Sequence, residues 1–237
     1  MLRSELTAGV DPIKSAWMSL LEALISLVNT KLQSKTDWYK WRPIDTATLP
    51  EGVVLPAGST CQRNIALKHE LHRLWLVADS DRRMELARYY VKTWGGIKRN
   101  DETTLFEYVN ADASAVVARA TSGIASWSKV LCIRDPKKYA IFDARVSASL
   151  NCLQISNRVE TPAMYPCLNT QNGGVKSGNK RIRVHANENN WVPVNTRTFY
   201  EGYLGLISDA AASCGVCIQT VEMVLFSATL KLLKSVH

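Results

Sequence analysis

The sequence predicts a mainly α-helical fold, a bundle of about eight to ten helices in one compact domain or in two helical lobes flanking a cleft. Three observations carry this. Apolar residues recur at helical spacing through most of the chain, alternating strand patterns are scarce, and residues that start or stop helices punctuate the periodic runs.

The elements follow in order. Asp11-Pro12 reads as an N-cap with proline at the first helical position. Trp17, Leu20, Leu21, Leu24, Ile25, Val28 and Leu32 then give a helix of about 20 residues. From residue 35 to 60 the pattern collapses into a proline-punctuated stretch, TDWYKWRPIDTATLPEGVVLPAG, which predicts an extended arm packed over the surface. Periodicity returns with Ile65, Leu67, Leu71, Leu74, Trp75 and Leu76. Asp79 or Ser80 caps a further helix, RRMELARYYVKTW, which stops at Gly95-Gly96. Two short helices are expected across 102–122, a helix over 126–134, and another from Asp143 to about Leu153. Residues 154–196 centre on NTQNGGVKSGNKRIRVHANENN and are expected to form one long flexible loop. Two strong helices close the chain near 197–212 and 216–235.

A chain of 237 residues can bury about 70% of its unfolded surface in a single core. Hydrophobic content of 46% with 21% charged residues excludes wholesale disorder. The net charge of +8 points to a polyanionic partner, and nucleic acid fits it best. The most apolar early run is interrupted by Glu22 and Asn29 and flanked by Lys14 and Lys31, so it reads as an amphipathic helix and no membrane partner is expected. The six cysteines do not resemble a secreted disulfide framework, so a reduced, cytoplasmic protein is expected.

Chemistry concentrates in TSGIASWSKVLCIRDPKKYAIFDARV, where a glycine ends one helix, a short turn starts the next, and Asp143 opens a third behind the apolar triplet Ala140-Ile141-Phe142. Such a turn can offer backbone N–H groups to a phosphate. An acid at a helix mouth is either an ordinary N-cap or a carboxylate held ionised for function. The run GIASWSK followed by Asp143 resembles the helix-hairpin-helix base-excision DNA glycosylases, whose hairpin and downstream aspartate share this layout. It is most similar to the alkyl-base branch, which has a tryptophan two positions after the second hairpin glycine. Ala125 stands where that second glycine would be, and Lys129 where the motif ends in alanine.

The resemblance implies a function and a set of roles. Asp143 would be the catalytic carboxylate, stabilising an oxocarbenium-like sugar and orienting water. Trp127, Phe142 and Arg145 would belong to the substrate pocket, Arg145 pairing with a phosphate or with Asp143. Gly123, Ala125, Ser126, Ser128 and Lys129 would grip the DNA backbone. Members that also cleave the strand carry a lysine where this chain has Trp127, so the resemblance implies a monofunctional, water-using enzyme. Lys129 lies about 200° round the helix from Trp127 and is expected to point away from the face Trp127 presents.

Other residues carry lesser signals. Trp38-Tyr39-Lys40-Trp41-Arg42 interleaves aromatics with cations, as stacking on unpaired bases requires, or anchors the arm with buried rings. Lys98 and Arg99 follow the double glycine as a second backbone clamp or a simple helix end. Lys176, Lys180, Arg181 and Arg183 would meet phosphates from the long loop. Neither a single CxxC (Cys214, Cys217) nor His69-Glu-Leu-His72 has metal-site spacing, so no metal or cofactor is implied. The rival expectation is a non-catalytic nucleic-acid-binding subunit of a bacterial genome-defence (antiviral) or DNA-modification assembly.

Overall fold

The computed structural model describes residues 12–236, with side chains from Trp17 onward; the expected cap at Asp11 lies outside the described residues. Ten α-helices make up the described fold. The long first helix is present as α1 (Pro12–Leu32). Residues 33–59 form the expected arm, irregular except for a single 3₁₀ turn at Thr46–Thr48. A capping box at Ser59 and Gln62 starts α2 (Thr60–Val77), and the Asp79 carboxylate starts α3 (Ser80–Arg88). That helix ends in a wide π turn, Tyr89–Trp94, before the double glycine. Two short helices follow as expected, α4 (Glu102–Asn110) and α5 (Ala113–Val117). Next come α6 (Ile124–Arg134) and α7 (Ala144–Ser156).

The expected long loop over 154–196 is corrected by α8 (Gly173–Glu188) and by a two-residue parallel pairing of β1 (Ala163–Met164) with β2 (Val192–Pro193). Asn172 caps α8 by accepting from the Val175 N–H. The face it buries is Val175, Gly178, Asn179, Ile182 and Ala186. Two of those five side chains are missing or polar, so the apolar period that marks a helix is diluted. Packing explains both. A Cβ on Gly178 would lie 2.3 Å from Leu233, and the Asn179 amide donates to the Leu168 carbonyl. The chain closes with α9 (Phe199–Cys214) and α10 (Ile218–Leu232).

The centre of the molecule is α7, α10 and α6. Ten of the thirteen residues of α7 are buried, which is the signature of a helix inside a core. Its buried polar residues hold the irregular segment beside it. Ser147 donates to the Pro166 carbonyl, Asn151 brackets Tyr165 through both N–H and C=O, and Gln154 does the same for Ala163. No single helix is long and apolar enough to cross a membrane among the described residues.

Candidate functional site

The connection between α6 and α7 delivers Asp143, and side chains clamp nearly all of it. Gln219 donates to the carbonyls of Pro136 and Tyr139, Tyr200 to that of Ala140, and Tyr203 to that of Ile141. The Ser128 hydroxyl accepts from the Phe142 N–H at 3.1 Å. Ala140, Ile141 and Phe142 are buried, so Asp143 emerges from a rigid apolar base. One carboxylate oxygen, Oδ1, accepts from the N–H groups of Arg145 and Val146, at 2.9 and 3.0 Å, which makes it the N-cap of α7. Both accounts of the acid therefore meet in one residue: Oδ1 caps the helix, while Oδ2 makes no hydrogen bond.

Asp143 is half-buried and lines a small cavity of about 50 Å³ that opens to solvent. The arm supplies Tyr39 and Trp41, the end of the π turn supplies Trp94 and Gly95, and α10 supplies Glu222 and Phe226. Trp41 meets Phe226 edge-on, with centroids 5.0 Å apart, so the walls brace each other. The widened π turn brings Trp94 and Gly95 to the rim; Trp94 is held by stacking on Tyr90 and by donating to Asn64. Gly95 has to be glycine there, because a Cβ would stand 2.7 Å from the Val91 carbonyl oxygen and 2.9 Å from that of Tyr90, as well as 2.8 Å from the Lys129 side chain.

Lys129 is the second polar wall. Only 5% exposed, it donates from Nζ to the Ala125 carbonyl at 2.7 Å. Burial pulls its pKa below the ordinary lysine value, and the attraction of Asp143 only partly offsets that. Glu222 is the third, 2% exposed, with Oε2 at 2.6 Å from the buried Lys68 ammonium. Lys68 also donates to Gln219, so the ion pair and the clamp on the 136–139 backbone form one network. Burial is the largest influence on both partners and opposes both charges. Glu222 and its neighbours nevertheless lift Lys68 above its ordinary value, while burial leaves Glu222 above the usual carboxylate range against the pull of Lys68. Tyr39 is pushed well up by burial and by the negative charge of Glu222 and Asp143.

Several expected site residues lie elsewhere. Trp127 is fully buried behind α6, donating to the Ser122 carbonyl and packed edge-on against Tyr200, so it is a core residue and no pocket wall. Phe142 is likewise core, among Phe199, Tyr203 and Tyr165. Arg145 forms no ion pair with Asp143; its guanidinium lies 4.6 Å from the Phe226 ring and 5.7 Å from that of Trp41, bracing the walls from outside. Lys129 does diverge from Trp127, as the helical angle requires, but it is Lys129 that reaches the cavity.

The hairpin offers less to a phosphate than its sequence suggests. Gly123 takes the left-handed conformation (φ 71°), and its carbonyl accepts from both the Ser126 and Trp127 N–H groups. Of the first-turn amides, that of Ala125 alone forms no backbone hydrogen bond. Ser126 and Ser128 are buried. Arg181 is committed to the carbonyls of Leu233 and Val236 and braces the C-terminal packing, while Arg183 is committed to that of Cys167, in the segment before α8. Lys98, Arg99 and Lys180 are exposed.

No family model matches the chain, and no curated protein or solved structure is significantly similar to it.

The sequence reading missed Glu222 and its partner. A faint signal existed: Lys68 stands in helical phase with Asn64, Leu71 and Trp75, all buried, and Glu222 sits in an otherwise apolar run, VEMVLF. A lone charge of each sign in a core phase is the pattern an internal ion pair leaves.

Proposed function

We propose that the chain is a DNA glycosylase-like hydrolase, which holds a base turned out of the strand and breaks its N-glycosidic bond. The observation that carries this reading is Asp143, with one oxygen fixed by its own helix and the other uncommitted on the wall of an aromatic-sided cavity. An extruded base needs planar apolar faces, and Tyr39, Trp41, Trp94 and Phe226 supply them. As the base leaves, positive charge develops on the sugar. A carboxylate about 4 Å away is worth ~4 kcal/mol at an effective dielectric of 20, against ~1 in water. The clamps on residues 136–142 keep that charge preoriented. The net charge of +8 supplies the affinity for a strand.

The test is strand scission at abasic sites, using duplexes that carry assorted altered bases and comparing the wild type with Asp143→Asn. Base release by the wild type alone supports the reading; equal release by both proteins refutes it. Salt-dependent DNA binding by a wild type that releases no base would leave the non-catalytic binding subunit instead.

A second reading comes from Lys129. A buried amine of lowered pKa beside a carboxylate is a nucleophile in the making. Its Nζ would bond to the sugar C1′ as the base departs, and ring opening would give an imine. Borohydride would then trap protein on DNA in the wild type and not in Lys129→Gln. Release without trapping leaves water as the nucleophile.

A further inference from the structure

The polar atoms around the cavity are not a neutral lining; they define a hydrogen-bonding pattern. Glu222 is 2% exposed, and the Lys68 ammonium at 2.6 Å fixes its Oε2. Its other oxygen, Oε1, has no hydrogen-bond partner and belongs to a residue that lines the cavity. Oε1 is not among the buried atoms left without a partner, which fits an oxygen open to the cavity and free to accept from a ligand. Lys129 spends one ammonium hydrogen on Ala125 and keeps two. The cavity thus has an acceptor on its α10 side and spare donor hydrogens on its α6 side, between flat aromatic walls.

We infer that the cavity selects a planar heterocycle presenting adjacent N–H donors to Glu222 and a carbonyl to the opposite side, the donor and acceptor arrangement of guanine. This deepens the proposed function by naming the class of base, and it rests on the base-binding part of that reading. A carboxylate pairs well with a ring N–H next to an exocyclic amino group, because two roughly parallel donors meet two acceptor lone pairs. A ring with a carbonyl in place of the amino group sets oxygen against oxygen and leaves Oε1 poorly satisfied. The spare donor hydrogens of Lys129 suit the remaining ring carbonyl.

Two soluble rings of equal size separate the cases: isocytosine, with the adjacent N–H and amino donors, and uracil, with a carbonyl where isocytosine has its amino group. Calorimetric titration of the full chain is expected to show isocytosine binding at least tenfold tighter than uracil. Equal affinity, or binding of neither, overturns the inference. Methylguanidinium, which offers the same donors without a ring, is expected to bind at least tenfold more weakly than isocytosine; equal binding overturns the need for a planar ring. In Glu222→Gln one acceptor becomes a donor, and the preference for isocytosine is expected to vanish; a retained preference overturns the assignment to Glu222. Should that variant not fold, Lys129→Met serves: it keeps the bulk of the side chain and removes the donor hydrogens, so severalfold weaker isocytosine binding is expected, and unchanged binding overturns the pattern. Failure here is separable from failure of the proposed function. Isocytosine bound without base release from DNA sinks only the enzyme reading, and base release without donor preference sinks only this inference.

Discussion

Replacing Asp143 by asparagine separates the two jobs of one side chain. Structurally, the residue accepts two backbone hydrogen bonds through Oδ1. Asparagine has the same oxygen in the same position and ranks with aspartate as an N-cap, so those bonds persist. What is lost is a unit charge at the start of α7, worth about 0.3–1 kcal/mol against the helix dipole. For a domain of this size that lowers the melting temperature by a few degrees at most, at about 2–4 °C per kcal/mol. The chemical loss is larger. Removing the charge forfeits ~4 kcal/mol of sugar-cation stabilisation if the cavity behaves as a medium of dielectric 20, and ~1 if it behaves as water. At 1.36 kcal/mol per decade these are about a thousandfold and under tenfold in rate. Single-turnover base release measured beside thermal melting therefore reports how dry the cavity is. Asp143→Ala is the control, because it removes the cap as well and costs about 1 kcal/mol more in stability. A drop of less than about tenfold in base release by Asp143→Asn, with the fold intact, refutes the electrostatic argument.

The remaining predictions concern what holds the site. Glu222→Ala leaves the Lys68 ammonium buried without its carboxylate and is expected to cost about 3–5 kcal/mol, whereas the double change Lys68→Met with Glu222→Leu costs much less; urea unfolding of the three proteins checks the coupling. Lys129 has a folded pKa below its ordinary 10.5, so the unfolded chain binds its proton more tightly and stability rises with pH between the folded value and 10.5. In Lys129→Met that part of the slope is expected to disappear, and the variant gains most over the wild type below the folded pKa, as read by urea midpoints across the alkaline range. Gly123→Ala strains a left-handed residue and drives a Cβ to 2.2 Å from the Tyr108 hydroxyl; it is expected to cost at least about 1–2 kcal/mol, part of which Tyr108→Phe restores. Arg181→Ala removes charged donors from the carbonyls of Leu233 and Val236 and is expected to destabilise by about 1.5–3 kcal/mol, measured by thermal melting.

The helices were legible where a cap and an apolar stripe agreed. Asp79 and Asp143 each mark a start that the backbone then takes. Where the stripe was interrupted, legibility failed. The buried face of α8 contains Gly178, which is glycine because Leu233 occupies its side-chain space, and Asn179, which is polar because an irregular carbonyl needs a donor. Gly178 answers to a partner distant in sequence, and Asn179 to a carbonyl in the irregular segment before α8, so the apolar period of the helix itself could weigh neither. The same holds for Arg181 and Arg183, which read as free cations until the carbonyls they serve, of Leu233 and Val236 for Arg181 and of Cys167 for Arg183, are in view.

The site followed the same rule with a different outcome. Asp143 was legible because its determinants are local: an apolar triplet behind it and a helix in front. Its companions were not, since they come from the arm, the π turn, α6 and α10, and meet only in the fold. Trp127 stands where the alkyl-base hairpin motif has its tryptophan, which implied a pocket wall, yet its indole is fully enclosed, donates to the Ser122 carbonyl and braces α6 instead. Lys129, two residues on, faces the other way, and Gly95 leaves the space through which its chain passes. The step of about 200° between positions i and i+2 thus divides α6 into a bracing side and a chemical side. Within the proposed function, this division lets Trp127 vary among large apolar residues at a cost in stability alone, while replacing Lys129 by a neutral residue alters the charge that Asp143 faces.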